Sequence, residues 1–241
     1  SEIDTATFLT KLKSSSTLPK TAAPPPALYT PIYQKIKDTG DSAIVICPSA
    51  ELSGTVRSAT VAAQDFPETD IRVIDSRTLG TGLGSVVRQA VKWAAAGLTA
   101  DEVVAKIEDM ITREHVYFLV DTLEYLYKGG RIGGAQMFLG SLLQVKPILT
   151  IKNGRAEPVD QQRTKRRALA RIKELVRTEC PRNEEAFISV MYGDAKDEAV
   201  NFAEELKTEL GFSEIPVMWL PSAILVHAGP GTMAVSFFVE K

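Results

Sequence analysis

Three short apolar runs alternating with helix-period stretches constrain this chain more than any other feature. Ala43–Cys47 reads AIVIC, a continuous apolar run of strand length, as expected for a strand buried on both faces. Ile71–Asp75 and Val116–Val120 are two more strand candidates. Between them, Ser85–Ala96 carries Val86, Val87, Ala90, Val91 and Ala94 on one helical stripe. Thr99–Arg113 is a second helix, with Thr99 and Glu102 at the spacing of a capping box and Val103, Val104, Ile107, Met110 and Ile111 forming the buried face. This strand–helix order predicts a mostly parallel sheet flanked by helices.

The pattern changes after Val145. Asn153-Gly154 sits between two strand-like runs, a strong hairpin signal. A basic helix over 164–179, a strand over 186–192, a helix over 195–210 and strands over 215–220 and 233–239 follow. Hairpins mixed with helices predict a mixed or antiparallel sheet. The expected division is therefore an α/β domain over 1–145 and a second α/β domain over 146–241. Upstream, residues 4–13 and 26–38 read as helices joined by a Ser-rich, then Pro-rich connector, with Pro26 suited to a first helical turn.

Composition narrows the function classes. The net charge of −2 gives no global reason to expect nucleic acid. No apolar stretch nears the roughly 20 residues that span a bilayer, and the opening residues do not read as a signal peptide. Two cysteines, Cys47 and Cys180, and two separated histidines suggest buried thiols, a cytoplasmic setting and no zinc site.

Six stretches carry possible chemistry. SAELSGT, Ser49–Thr55, lies where a strand hands over to a helix. A helix N-terminus offers unpaired N–H groups, Gly54 admits a close ligand, and Ser53 and Thr55 add hydroxyl donors, a set suited to a phosphate or carboxylate. The plain alternative is that Ser53 or Thr55 caps its own helix. Thr21, in LPKTAAPPP, is a second hydroxyl in a stiffened loop. His227 opens HAGPGT, a tight turn between two strands. YKGGRIGG, Tyr127–Gly134, gathers four glycines around Arg131 and matches neither a Walker loop nor a dinucleotide fingerprint. The apolar stretch Met137–Leu149 fits either core or a ligand cavity. Arg163, Lys165, Arg166, Arg167 and Arg171 give a basic face, either solvated or suited to an acidic partner. No Ser–His–Asp or Cys–His pattern is recognisable, so binding is favoured over catalysis.

Taken together, LPKTAAP, ELSGT, VIDSRTLGTGLG, TLEYLYKGGRIGGAQMFLGSLLQVKPIL and HAGPGT resemble the DegV family, in this order and over nearly the whole chain. That family includes the fatty-acid-binding subunits of bacterial fatty acid kinase. The resemblance implies a two-domain α/β protein that is not itself an enzyme and holds a long-chain fatty acid between its domains without a further cofactor. It places the carboxylate on Thr21 and Ser53, with Gly54 and Thr55 in the same motif and His227 close by. It also implies an ATP-dependent kinase subunit as partner, which phosphorylates the bound acid. Arg131 and Arg163 are the candidate docking residues. Here Ala22-Ala23 stand where the family loop has Ser-Gln, and the resemblance implies a first domain truncated at its start, lacking the family's first strand with its Asp-Ser motif.

A fatty acid explains the hydroxyls physically. Its tail gains roughly 0.8 kcal/mol per buried methylene, whereas an unpaired buried carboxylate costs several kcal/mol. Two other readings remain open: a small-molecule kinase or phosphotransferase related to dihydroxyacetone kinase, and a ligand-free regulatory interaction protein.

Overall fold

The computed structural model describes residues 3–138 and 145–241. The chain opens with α1 (Thr5–Ser14), whose first turn is capped by the Asp4 carboxylate accepting from the Thr7 N–H at 2.8 Å. A single 3₁₀ turn, Pro26–Leu28, precedes α2 (Thr30–Thr39). There follow β1 (Ala43–Cys47), α3 (Thr55–Ala63), β2 (Ile71–Asp75), α4 (Gly80–Ala95) and α5 (Ala100–Thr112). The chain continues through β3 (Glu114–Leu119), α6 (Glu124–Lys128), β4 (Lys146–Lys152), β5 (Arg155–Gln162) and α7 (Lys165–Glu179). It ends with β6 (Ser189–Tyr192), α8 (Lys196–Leu210), β7 (Val217–Trp219), α9 (Ser222–Ala228) and β8 (Met233–Phe238).

The fold is mixed α/β in two compact units. One spans Ala22–Thr112; the other joins the residues up to Thr21 with Arg113–Lys241. In the first unit β1 and β2 pair in parallel, Ala43 opposite Ile71 through Cys47 opposite Asp75. Helices α3, α4 and α5 pack on these strands. Among the described residues this sheet has two strands, each at an edge, and β1 and β2 are half-buried except at Cys47, despite their apolar runs. Tyr33, Ala62 and Phe66 form a small core beside them. The predicted capping box is present at α5: the Thr99 N–H donates to Glu102 Oε2 at 2.8 Å, and the Glu102 N–H to Thr99 Oγ1 at 3.3 Å.

In the second unit the sheet of the described residues runs β5-β4-β3-β8-β6-β7. All its pairs are antiparallel except β6 with β7. Alternation along β3 feeds two cores. Tyr117 and Leu119 meet Ile172, Val176 and Phe202 of α7 and α8. Val116 and Phe118 face the opposite way, into a cluster with Leu12 of α1, Leu126 of α6 and Leu225 of α9.

This division differs from the expected break near Val145. A break there would cut β3 from β4, yet Tyr117–Leu119 pair with Ile148–Thr150, and β3 pairs along its whole length with β8. The apolar run of β3 signals burial on both faces, and burial alone does not name the strands beside it. The third strand thus belongs to the mixed sheet, not to the parallel one.

Candidate functional site

The site begins where α6 and α9 pack together in the second unit. Helix α6 ends in a Schellman-type turn: the Gly130 N–H donates to the Tyr127 carbonyl at 3.0 Å and the Arg131 N–H to the Leu126 carbonyl at 2.8 Å. Gly130 takes the left-handed conformation this requires, at φ 68°. Half of YKGGRIGG is therefore a helix stop rather than a loose loop. Gly133 and Gly134 bring the following 3₁₀ segment against β5, where a Cβ would strike the Ala156 carbonyl and the Glu157 carboxylate.

Helix α9 is seven residues long and carries His227 in its last turn. The Gly229 N–H donates to the Leu225 carbonyl at 2.8 Å, and Thr232 Oγ1 donates to the Ala228 and Gly229 carbonyls at 2.9 and 2.8 Å. HAGPGT is thus the anchored end of a helix, and this fixes the His227 backbone.

Thr21 reaches His227 from the segment after α1. Thr21 Oγ1 lies 2.7 Å from His227 Nε2, although the residues are 206 positions apart. The other ring nitrogen, Nδ1, is buried and has no hydrogen-bond partner among the described residues. Burial first, and the Arg131 guanidinium second, hold the imidazole below its ordinary titration range. A neutral His227 results at neutral pH.

A cavity of about 430 Å³ opens at this pair, with Lys20, Thr21, Lys128, Gly129, Arg131 and His227 among its walls. Arg131 is half-buried there, and its Nη1 donates to the Gly129 carbonyl at 2.7 Å. Lys128 is ion-paired with Glu124. Hydroxyls and cations share the lining with Leu18, Pro19 and Val226, a mixture that suits an anionic head group on an apolar chain. Lys20, Lys128 and Gly129 were not singled out from sequence; their signal was adjacency to Thr21 and Arg131.

Ser53, Gly54 and Thr55 come together in the first unit. Ser53 Oγ lies 2.8 Å from Thr55 Oγ1 and accepts from the Thr55 N–H at 3.3 Å. Gly54 is the N-cap of α3 and has no side chain to cap it, so Ser53 meets one of the helix's first N–H groups from one position earlier. Gly54 has an ordinary φ of −74°, and a Cβ there would touch only Ala23 at 3.4 Å. Neither backbone conformation nor space in the unliganded chain demands glycine at 54.

Arg163 is exposed, just ahead of α7, and is not among the cavity walls. The basic run is partly neutralised within the unit. Lys165 pairs with Glu198, and Arg171 with Asp160 at 2.9 Å and Glu174 at 3.0 Å. Of the apolar stretch Met137–Leu149, residues 139–144 lie outside the described residues; Ile148 and Leu149 are core. Among the described residues no cluster of His, Cys, Asp or Glu is arranged to hold a metal, and no helix is long and apolar enough to cross a membrane.

Comparison with known proteins bears on the family and the fold. A family model described as "Uncharacterised protein, DegV family" matches residues 1–240. A DegV domain-containing protein of Streptomyces coelicolor is 38% identical over 217 residues, covering 89% of this chain and 76% of the relative. Among solved structures, a DegV family protein from Thermus thermophilus described for fatty acid binding superposes with a TM-score of 0.89 at 32% identity, over 99% of this chain and 85% of that one. DegV of Bacillus subtilis, described as a fatty acid binding protein, gives a TM-score of 0.86 at 28% identity over the same shares.

Proposed function

The chain belongs to the DegV family, and from that premise we propose that it binds a long-chain fatty acid whose carboxylate is received by Thr21 beside His227. The carrying observation is the 2.7 Å contact between Thr21 Oγ1 and His227 Nε2 at a cavity walled by cations. A hydroxyl has one proton to give. If Thr21 gives it to a carboxylate, Thr21 must accept from His227, which sets the tautomer with the proton on Nε2. The bare Nδ1 lone pair then faces its partnerless pocket. Arg131 supplies the compensating charge. Ser53 is the second donor in this reading, with Gly54 and Thr55 shaping its turn. The fatty acid binding described for the Thermus thermophilus and Bacillus subtilis relatives supports the choice of ligand.

The same reading has the carboxylate presented to an ATP-dependent kinase subunit that converts it to an acyl phosphate. The cavity supports this, because its volume and its cations exceed what one carboxylate needs. Arg163, exposed and outside the cavity wall, is the docking residue for that partner, whereas Arg131 serves the head group.

Extraction of the purified chain followed by mass spectrometry tests the ligand. A co-purifying straight-chain acid, lost in Thr21→Val and in Ser53→Ala, is the expected result. Equal recovery from all three proteins overturns the head-group assignment. Arg163→Glu tests the docking: acid binding stays, while phosphorylation by the kinase subunit slows and loses part of its salt dependence. An unchanged rate across a salt series moves the docking surface elsewhere.

A further inference from the structure

Two neighbouring glycines end α6, for opposite reasons. Gly130 is in the left-handed region at φ 68°, yet nothing lies within 4 Å of where its Cβ would be. Gly129 has φ −77° and ψ −9°, a conformation open to any residue. A Cβ on Gly129, however, would fall 2.3 Å from His227 Nδ1, 2.9 Å from the Tyr125 carbonyl and 3.3 Å from His227 Cε1. Gly130 is glycine for its backbone; Gly129 is glycine for the space that His227 fills.

The backbone at 129 is pinned from both sides. Its N–H donates to the Tyr125 carbonyl at 2.9 Å, and its carbonyl accepts from Arg131 Nη1 at 2.7 Å. The ring is the softer party. Moving Nδ1 from 2.3 Å to an ordinary 3.4 Å contact takes a displacement of about 1 Å, in a ring whose opposite nitrogen makes a 2.7 Å bond to Thr21. A reciprocal contact locks the two helix ends: a Cβ on Gly229, after α9, would sit 2.7 Å from the Tyr125 ring of α6.

We infer that Gly129 is the positioning residue of the head-group site, seating the His227 imidazole with its bare α-carbon and the Arg131 guanidinium with its carbonyl. The inference rests on the reading of Thr21 and His227 as that site. It does not require Gly129 to touch the ligand.

The test compares Gly129→Ala with Gly130→Ala in the full chain, by imidazole NMR and by affinity for octadecanoic acid. Only His115 and His227 contribute imidazole signals, so assignment needs one histidine variant. Gly129→Ala should shift the His227 ring signals and weaken octadecanoic acid more than tenfold. Gly130→Ala should lower the melting temperature and leave the ring signals and the affinity within twofold of wild type. Unchanged His227 signals in Gly129→Ala overturn the inference. If Gly129→Ala is too unstable for NMR, melting temperatures decide. The Gly129→Ala loss should shrink in a His227→Ala background, and an equal loss in both backgrounds overturns the inference. Wild-type protein that fails to bind octadecanoic acid, while Gly129→Ala still shifts the ring, leaves the positioning role in place and removes the head-group reading.

Discussion

Replacing Thr21 by valine removes one hydroxyl and keeps the side-chain shape. In the unliganded chain Thr21 is exposed, so water takes over the contact with His227 Nε2 and stability should change by less than about 0.5 kcal/mol. With the acid bound, the same hydroxyl donates to a carboxylate, and a hydrogen bond to a charged group contributes about 1.5–3 kcal/mol. At about 1.4 kcal/mol per factor of ten, affinity should fall on the order of ten- to a hundredfold. Titrating octadecanoic acid at pH 8 into wild type, Thr21→Val and Thr21→Ser, alongside thermal melts, separates the effects. Thr21→Ser should bind within a few-fold of wild type, since it keeps the donor. Equal weakening of the serine and valine variants, or a valine variant as tight as wild type, refutes the reasoning.

His227 gives a signed pH dependence. Its folded-state titration lies below the ordinary imidazole value, chiefly through burial, so the unfolded chain takes the proton first. Stability should therefore decline as pH falls below about 6.5 towards the folded value, and be unaffected by this group above that range. His227→Gln should flatten that part of the urea-midpoint profile; an unchanged slope rules it out. Burial also pushes the Cys47 thiol to about 11 and the Cys180 thiol to about 12. Iodoacetamide at pH 8 should label neither in the folded chain, and each only when its own unit opens, since they lie in different units. Rapid labelling of both without denaturant contradicts that burial. Thr99→Ala removes the hydroxyl half of the α5 capping box and should cost about 1 kcal/mol in denaturant melts, read through Cys47 labelling.

Features set by near neighbours were legible in the sequence. The β1 and β2 runs match their strands residue for residue. Asn153 and Gly154 both adopt positive φ, 51° and 78°, as a two-residue hairpin turn requires. Helix α4 was expected from Ser85 but begins at Gly80, because three glycines within five residues hide a helical start. Helices α6 and α9, five and seven residues long, are too short to show a helical period. The neighbours of β3 were not legible because strand pairing is non-local: its partners in β4 and β8 lie on opposite sides of it and far apart in the chain.

The site divides in the same way. Thr21, Ser53 and His227 stand out through motif resemblance, but no spacing rule joins residues 206 apart. Hydroxyls and a helix end are the donors that the sequence itself offers a carboxylate. The cavity adds cations to these donors. Lys128 is already paired with Glu124, and His227 is kept neutral by burial and by Arg131. Arg131, seated by the Gly129 carbonyl, stands in the cavity wall with Lys20. In the proposed reading a neutral imidazole donates to Thr21 without adding a further charge to the wall. A charged His227 beside Arg131 would put like charges on the same wall, so repulsion adds to the burial that chiefly keeps the ring neutral.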